Sequence, residues 1–131
     1  MLQFLDIFFL VFHALFTLFN MTGWIWKKTR RIHLVTVTAT AFSWFIFGIW
    51  YGWGFCFCTE WHWRVRSALD RPIMSSSYIH FLILEITGIS LPEQAVDNAT
   101  MAVFIACCVM TVALNLRDFL LYRKKQKGIP D

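Results

Sequence analysis

The chain has 131 residues, of which 58% are hydrophobic and 15% are charged, and its net charge is +4. This composition is far from that of a soluble domain, and the length leaves room for one small domain only. Its positive charges form two short clusters beside apolar stretches, without any nucleic-acid-binding motif, so we expect no nucleic-acid partner.

Three apolar stretches of about twenty residues are each long enough to cross a bilayer as an α-helix. The spans are predicted at residues 2–24, 33–53 and 99–121. The sequence therefore predicts an all-α membrane protein, with residues 1–131 forming a single membrane domain that contacts membrane lipid.

Polar residues follow one face of the first span. Asp6, His13 and Asn20 recur every seven residues, which is nearly two helical turns, and Thr17 follows His13 by four. Polar groups are costly in hydrocarbon, so this stripe should face other helices or a wet cavity. It serves either hydrogen bonding between helices or, in an oligomer, a proton or solute path in which His13 titrates.

Two basic clusters predict how the spans are oriented, because Lys and Arg collect on cytoplasmic flanks. One lies between the first two spans and the other follows the last span; they comprise Lys27, Lys28, Arg30 and Arg31, and then Arg123, Lys124, Lys125 and Lys127. The N-terminus should therefore lie outside and the C-terminus in the cytoplasm, with residues 54–98 as an outer loop.

The outer loop opens with Cys56, Cys58 and His62, and His80 follows further on. Thiols and imidazoles are ligands for Zn or Cu, so these four residues are a candidate metal site. Alternatively, the two cysteines form a strained, redox-active disulfide, or they pack as small hydrophobic residues. We expect no other cofactor and find no set of catalytic residues.

Two further features of the loop concern the membrane surface. Arg64, Arg66 and Arg71 are candidates for contact with lipid headgroups or with an acidic partner surface. Residues 78–91 are apolar at helical spacing but shorter than a usual span, so they predict an amphipathic helix lying in the interface; the alternative is a fourth span.

Several short motifs occur in the order seen in small bacterial inner-membrane proteins grouped as domain of unknown function 2784. They are His13 in FHALFTLF, His33 in RRIHLV, and Gly-Trp at 52–53. Cys56 with Thr59 and the segment SYIHFL that contains His80 follow, before a last span and a basic tail. The chain resembles this family over nearly its whole length.

The resemblance implies a location in the bacterial inner membrane, three spans, and a shared residue set of His13, His33, Cys56, Thr59 and His80. The family carries no established activity. The Pro and Leu that follow its cysteine are Phe57 and Cys58 here, which sets the second thiol apart from the family pattern.

These observations favour a non-catalytic accessory or assembly subunit that packs against a larger inner-membrane protein or complex. The alternative is a redox-active or metal-handling protein that uses Cys56, Cys58, His62 and His80. A conducting oligomer that uses the stripe of the first span is a third hypothesis.

Overall fold

The computed structural model describes residues 1–72, 75 and 77–127, and all regular elements within them are helical. They are α1 (Leu2–Thr22), α2 (Arg30–Phe42), a π-helical segment (Ser43–Phe47), α3 (Gly48–Tyr51), α4 (Phe57–Ser67), α5 (Tyr78–Thr87) and α6 (Glu93–Gln126). Helix α1, the continuous stretch Arg30–Tyr51 and α6 are long and apolar enough to cross a membrane. The predictions of an all-helical chain and of three such helices are confirmed.

Helix α6 is the longest element, and at 34 residues it measures about 50 Å along its axis. It begins at Glu93, directly after Pro92, whose fixed φ and missing N–H suit the start of a helix. The helix thus starts before the predicted span 99–121 and continues beyond it. Its basic last turn carries part of the C-terminal charge cluster.

One end of the bundle is held by an ion pair between α2 and α6. Arg30 is buried, and its guanidinium lies 2.7 Å from the carboxylate of Asp118 and donates through Nε to the Trp24 carbonyl. Because Arg30 opens α2 and Asp118 lies near the end of α6, both basic clusters belong to this same end of the bundle.

His33 joins the three long helices near that end. Its side chain is fully buried; Nε2 lies 2.8 Å from the Asn20 carbonyl of α1 and Nδ1 lies 3.0 Å from the Thr111 hydroxyl of α6. A Cβ at Gly23 would come within 2.6 Å of the His33 ring, so only glycine allows this close approach.

We expect His33→Ala to lower the free energy of unfolding by about 2–4 kcal/mol, because it removes two buried hydrogen bonds and leaves a cavity. The measurement is thermal unfolding of the protein in detergent. Thr38→Ala, on an exposed face of the same helix, is the matched control and should change stability by less than about 0.5 kcal/mol. Equal effects of the two substitutions would contradict the role given to His33.

After α3 the chain turns back along the helix it has just left. Gly52 and Gly54 have φ values of +102° and +82°, which other residues rarely adopt, and they bring Trp53 against Gly48. The Ser43 hydroxyl then donates to the Phe55 carbonyl over 2.8 Å. Since Ser43 lies about 12 Å before the end of α3 by helix rise, residue 55 has returned well into the bundle.

Helix α4 starts at this inner position and runs back outward along α1, with which it makes the most extensive helix–helix contact outside the continuous stretch Arg30–Tyr51. The sequence did not predict this helix, because its segment FCTEWHWRVRS mixes aromatic and charged residues at every second or third position. Helix α5 follows, and its residues Tyr78, His80 and Phe81 are buried. It ends at Gly88, which is in the left-handed conformation, and is therefore shorter than the predicted helix over 78–91.

Candidate functional site

The polar stripe of α1 is buried, and α4 supplies partners for its N-terminal half. Asp6, His13 and Asn20 are the buried residues of α1, while Thr17 is half-buried. Asn20 donates to the Thr40 hydroxyl of α2 over 3.0 Å. Asp6 and His13 instead face α4 and the segment just before it, and these contacts form the candidate site.

Asp6 is the centre of a buried charge cluster. Its carboxylate accepts a hydrogen bond from His62 Nε2 over 2.8 Å and from Arg71, and Arg66 Nη1 lies 3.7 Å away. The side chain of Arg66 is 9% exposed and stacks over the Phe81 ring, whereas that of Arg71 is 47% exposed. Two guanidiniums thus surround one carboxylate, which compensates the cost of burying Asp6.

His62 is fully buried, and only one of its ring nitrogens has a partner in the described residues. Burial lowers its pKa more than the neighbouring Asp6 carboxylate raises it. The ring is therefore a neutral imidazole that donates from Nε2 to Asp6. Aromatic rings contact the imidazole, and Nδ1 has no hydrogen-bond partner among the described residues.

Cys56 lies at the innermost point of the returning segment, where four groups favour its thiolate. It occupies the N-cap of α4, so its sulfur lies at the positive end of that helix. Hydrogen bonding from the Cys58 thiol lowers the pKa of Cys56 most. Burial opposes this by raising the pKa, and His13 and the backbone N–H of Thr59 lower it further. The sulfur lies 3.9 Å from His13 Nε2.

His13 is held in place on its other side. The Thr59 hydroxyl lies 3.5 Å from Nδ1, and the Tyr78 ring stacks on the imidazole with centroids 3.8 Å apart and an angle of 12°. Tyr78 in turn donates to the Leu10 carbonyl over 3.1 Å, and burial raises the pKa of its hydroxyl. A thiol, an imidazole and a hydroxyl thus follow one another, which is the order of a nucleophile, a base and an orienting group.

Cys58 is the second thiol of the site. Its hydrogen bond to Cys56 and its burial both raise the pKa of Cys58, whereas the pKa of Cys56 is lowered. Both cysteines are free thiols in this structure, as are Cys107 and Cys108. The sequence Cys-x-Cys therefore places two free thiols, whose pKa values shift in opposite directions, at the start of α4.

The four residues named as candidate metal ligands point to different partners. His62 bonds to Asp6, and His80 Nε2 bonds to the Leu91 carbonyl over 2.8 Å, while Cys56 lies beside His13. Within residues 1–72, 75 and 77–127, no three His, Cys, Asp or Glu side chains are grouped as metal ligands.

The three loop arginines are also engaged within the chain. Arg64 pairs with Glu60 one helical turn away on the exposed face of α4, over 2.9 Å. Arg66 and Arg71 both form ion pairs with Asp6. Only Arg64 and Arg71 are exposed enough to reach a lipid headgroup.

Sequence reasoning named every thiol and histidine of the site but did not pair His13 with Cys56. The residues are 43 positions apart, and the second was expected in an outer loop. One signal was present: His13, Cys56 and Thr59, which the structure brings together, are three of the five residues that the family resemblance implied. Tyr78 lies in the segment SYIHFL of that resemblance but is not one of the five residues, and Ser43 carried no such signal.

Comparison with known proteins gives one result. Neither the curated proteins nor the solved structures contain a match to this sequence. The family described as Protein of Unknown function (DUF2784) matches residues 3–116, which include nearly all of α1, all of α2 to α5 and most of α6. The predicted resemblance is confirmed, and the chain belongs to the DUF2784 family.

Proposed function

We propose that this chain is a redox-active membrane protein in which Cys56 is the nucleophilic thiolate and Cys58 is the resolving thiol. One observation carries the proposal. Cys56 lies at the N-cap of α4, its sulfur lies 3.9 Å from His13 Nε2, and the second thiol, Cys58, follows two residues later. Helix N-termini and imidazoles are the surroundings that make cysteines reactive.

The pair donates two electrons when it becomes a disulfide. With a disulfide as acceptor, the Cys56 thiolate attacks one sulfur, and the other sulfur leaves as a thiolate that takes a proton from His13. Cys58 then passes its proton to His13 and attacks the Cys56 sulfur, which releases the second acceptor thiolate; His13 protonates it. The acceptor is reduced to two thiols, and Cys56 and Cys58 are oxidised.

Alkylation of Cys56 tests the proposal directly. Because its pKa is lowered, the thiolate should persist at about pH 6, where an ordinary thiol is almost wholly protonated. We expect the rate of carbamidomethylation by iodoacetamide at Cys56, followed by peptide mass spectrometry, to fall little between about pH 8 and pH 6. A rate that drops about tenfold per pH unit over this range would contradict the proposal.

Cys58→Ala extends the test to the second thiol. The substitution removes the strongest stabilisation of the Cys56 thiolate, so the alkylation rate at about pH 6 should fall. Cys107 and Cys108, which lie in α6, are internal references within the same protein.

The proposed placement is in the bacterial cytoplasmic membrane, with the N-terminus outside and the C-terminus inside. It is supported by the two basic clusters, which share one end of the bundle, since cytoplasmic flanks are rich in Lys and Arg. Helix α5 then lies at the outer interface, and the exposed Arg64 and Arg71 reach the outer headgroups.

The accessory-subunit hypothesis stays a prediction. The exposed faces of α1 and α6 are apolar, and lipid chains satisfy such faces as well as a partner helix does. Gentle extraction from native membranes and mass spectrometry of the purified material would test it. One membrane protein recovered at a fixed ratio would support it.

A further inference from the structure

The depth of the Cys56 sulfur within the bundle limits what can reach it. His13, its neighbour, lies about 16 Å along α1 from Leu2, and Ser43, which holds the preceding carbonyl, lies about 12 Å from the end of α3. Half of a bilayer's hydrocarbon thickness is about 15 Å. In a membrane crossed by these helices, the Cys56 sulfur therefore lies near the middle of the hydrocarbon layer.

The way from this sulfur to the outer end of the bundle is filled with side chains. Asp6, His62, Tyr78 and Phe81 pack between α1, α4 and α5, and each is at most 6% exposed. Their rings contact one another, and the Asp6–His62 hydrogen bond ties the two helices together. A hydrophilic reactant approaching from the outer water would have to displace this packed polar and aromatic cluster.

The first half of α4, which carries the thiols, is more open. Cys56 and Cys58 are both partly exposed, and their neighbours Phe57 and Trp61 are 42% and 55% exposed. Apolar side chains exposed at this depth face the acyl chains of lipid. The sulfur atoms are thus closer to lipid than to either water layer.

A dithiol that opens to lipid needs an acceptor that dissolves in lipid and takes two electrons. We infer that the acceptor for Cys56 and Cys58 is a lipid-soluble carrier of the quinone class. This inference rests on the proposed thiol function and narrows its reactant. A quinone matches the pair in stoichiometry, because it takes two electrons together with two protons.

The step balances with the groups of the site. The Cys56 thiolate adds to a ring carbon of the quinone, and His13 donates a proton to a quinone oxygen. Cys58 passes its proton through His13 to the second oxygen and attacks the Cys56 sulfur. The carbon–sulfur bond breaks with its electron pair returning to the ring, which leaves a hydroquinone and a Cys56–Cys58 disulfide.

The first experiment measures access to the thiol without any redox step. The full chain in lipid nanodiscs is treated with N-ethylmaleimide, which partitions into lipid, or with a sulfonated maleimide, which does not. We expect Cys56 to react with the apolar reagent at least about tenfold faster, since access controls thiol reaction rates. Equal rates would show that water reaches the sulfur and would overturn the inference.

The second experiment measures oxidation of the reduced protein in the same nanodiscs. Decylubiquinone should convert Cys56 and Cys58 to a disulfide, with one hydroquinone formed per disulfide, and glutathione disulfide should act more slowly. Cys58→Ser is the matched control and should form no disulfide. If the lipid-soluble disulfide dithiodipyridine oxidises the pair but decylubiquinone does not, the quinone inference fails and the proposed function survives. If neither does, both fail.

Discussion

Asp6→Ala should lower the free energy of unfolding by about 3–5 kcal/mol, because it leaves the buried Arg66 guanidinium without its counter-ion. It also removes the acceptor of the His62 hydrogen bond. Arg66 and His62 are both almost fully buried. The measurement is equilibrium unfolding in mixed detergent, or the loss of monodisperse protein on heating. We expect the loss of stability to be the main effect of this substitution, ahead of any change in the reactivity of Cys56.

The chain supplies a matched control in Glu60→Ala. It too removes one carboxylate from a pair with arginine, but Glu60 and Arg64 are exposed on α4, where such a pair contributes at most about 0.5 kcal/mol. A second variant, Asp6→Ala with Arg66→Met, removes both buried charges and should recover part of the loss. Equal effects of Asp6→Ala and Glu60→Ala would mean that the buried cluster does not hold α4 on α1.

His13→Phe should reduce the alkylation rate of Cys56 at about pH 6 by tenfold or more, because it removes a group that lowers the pKa of that thiol. Phenylalanine keeps the stacking surface for Tyr78, so the packing of the site should change little. The rate is measured as for the unsubstituted protein, after size-exclusion chromatography has shown that the variant is folded.

His80→Gln serves as the control for this substitution. His80 is buried on α5 but bonds to the Leu91 carbonyl rather than to either thiol, so the alkylation rate at Cys56 should be unchanged. If His13→Phe also leaves the rate unchanged, the thiolate owes its stability to Cys58 and α4 alone, and His13 has no part in the chemistry.

The sequence contained enough information for the long helices and for the face of α1 that carries the polar residues. Apolar length alone indicated the spans, and the spacing of seven residues placed Asp6, His13 and Asn20 on one side. Both inferences use local features of the sequence, which do not depend on how the rest of the chain folds.

The site itself depends on contacts that local patterns do not encode. The pairing of His13 with Cys56 needs the chain to turn back at Gly52 and Gly54, and Ser43 to hold the Phe55 carbonyl. A sequence of aromatic and polar residues after an apolar span is as typical of a surface loop as of a helix that returns into the bundle. Composition therefore placed Cys56 on the outer face, whereas the structure places it halfway along α1.

The Asp6 cluster also bears on how the chain is made. Its arginine partner at position 71 lies 65 residues further along, and His62 lies 56 residues further along. At about 5–20 residues per second, the ribosome needs roughly 3–13 seconds to cover the longer distance. Until His62 has been made, the carboxylate has none of its native partners. The native surroundings of Asp6 are therefore complete only after α4 and the residues that follow it have been synthesised.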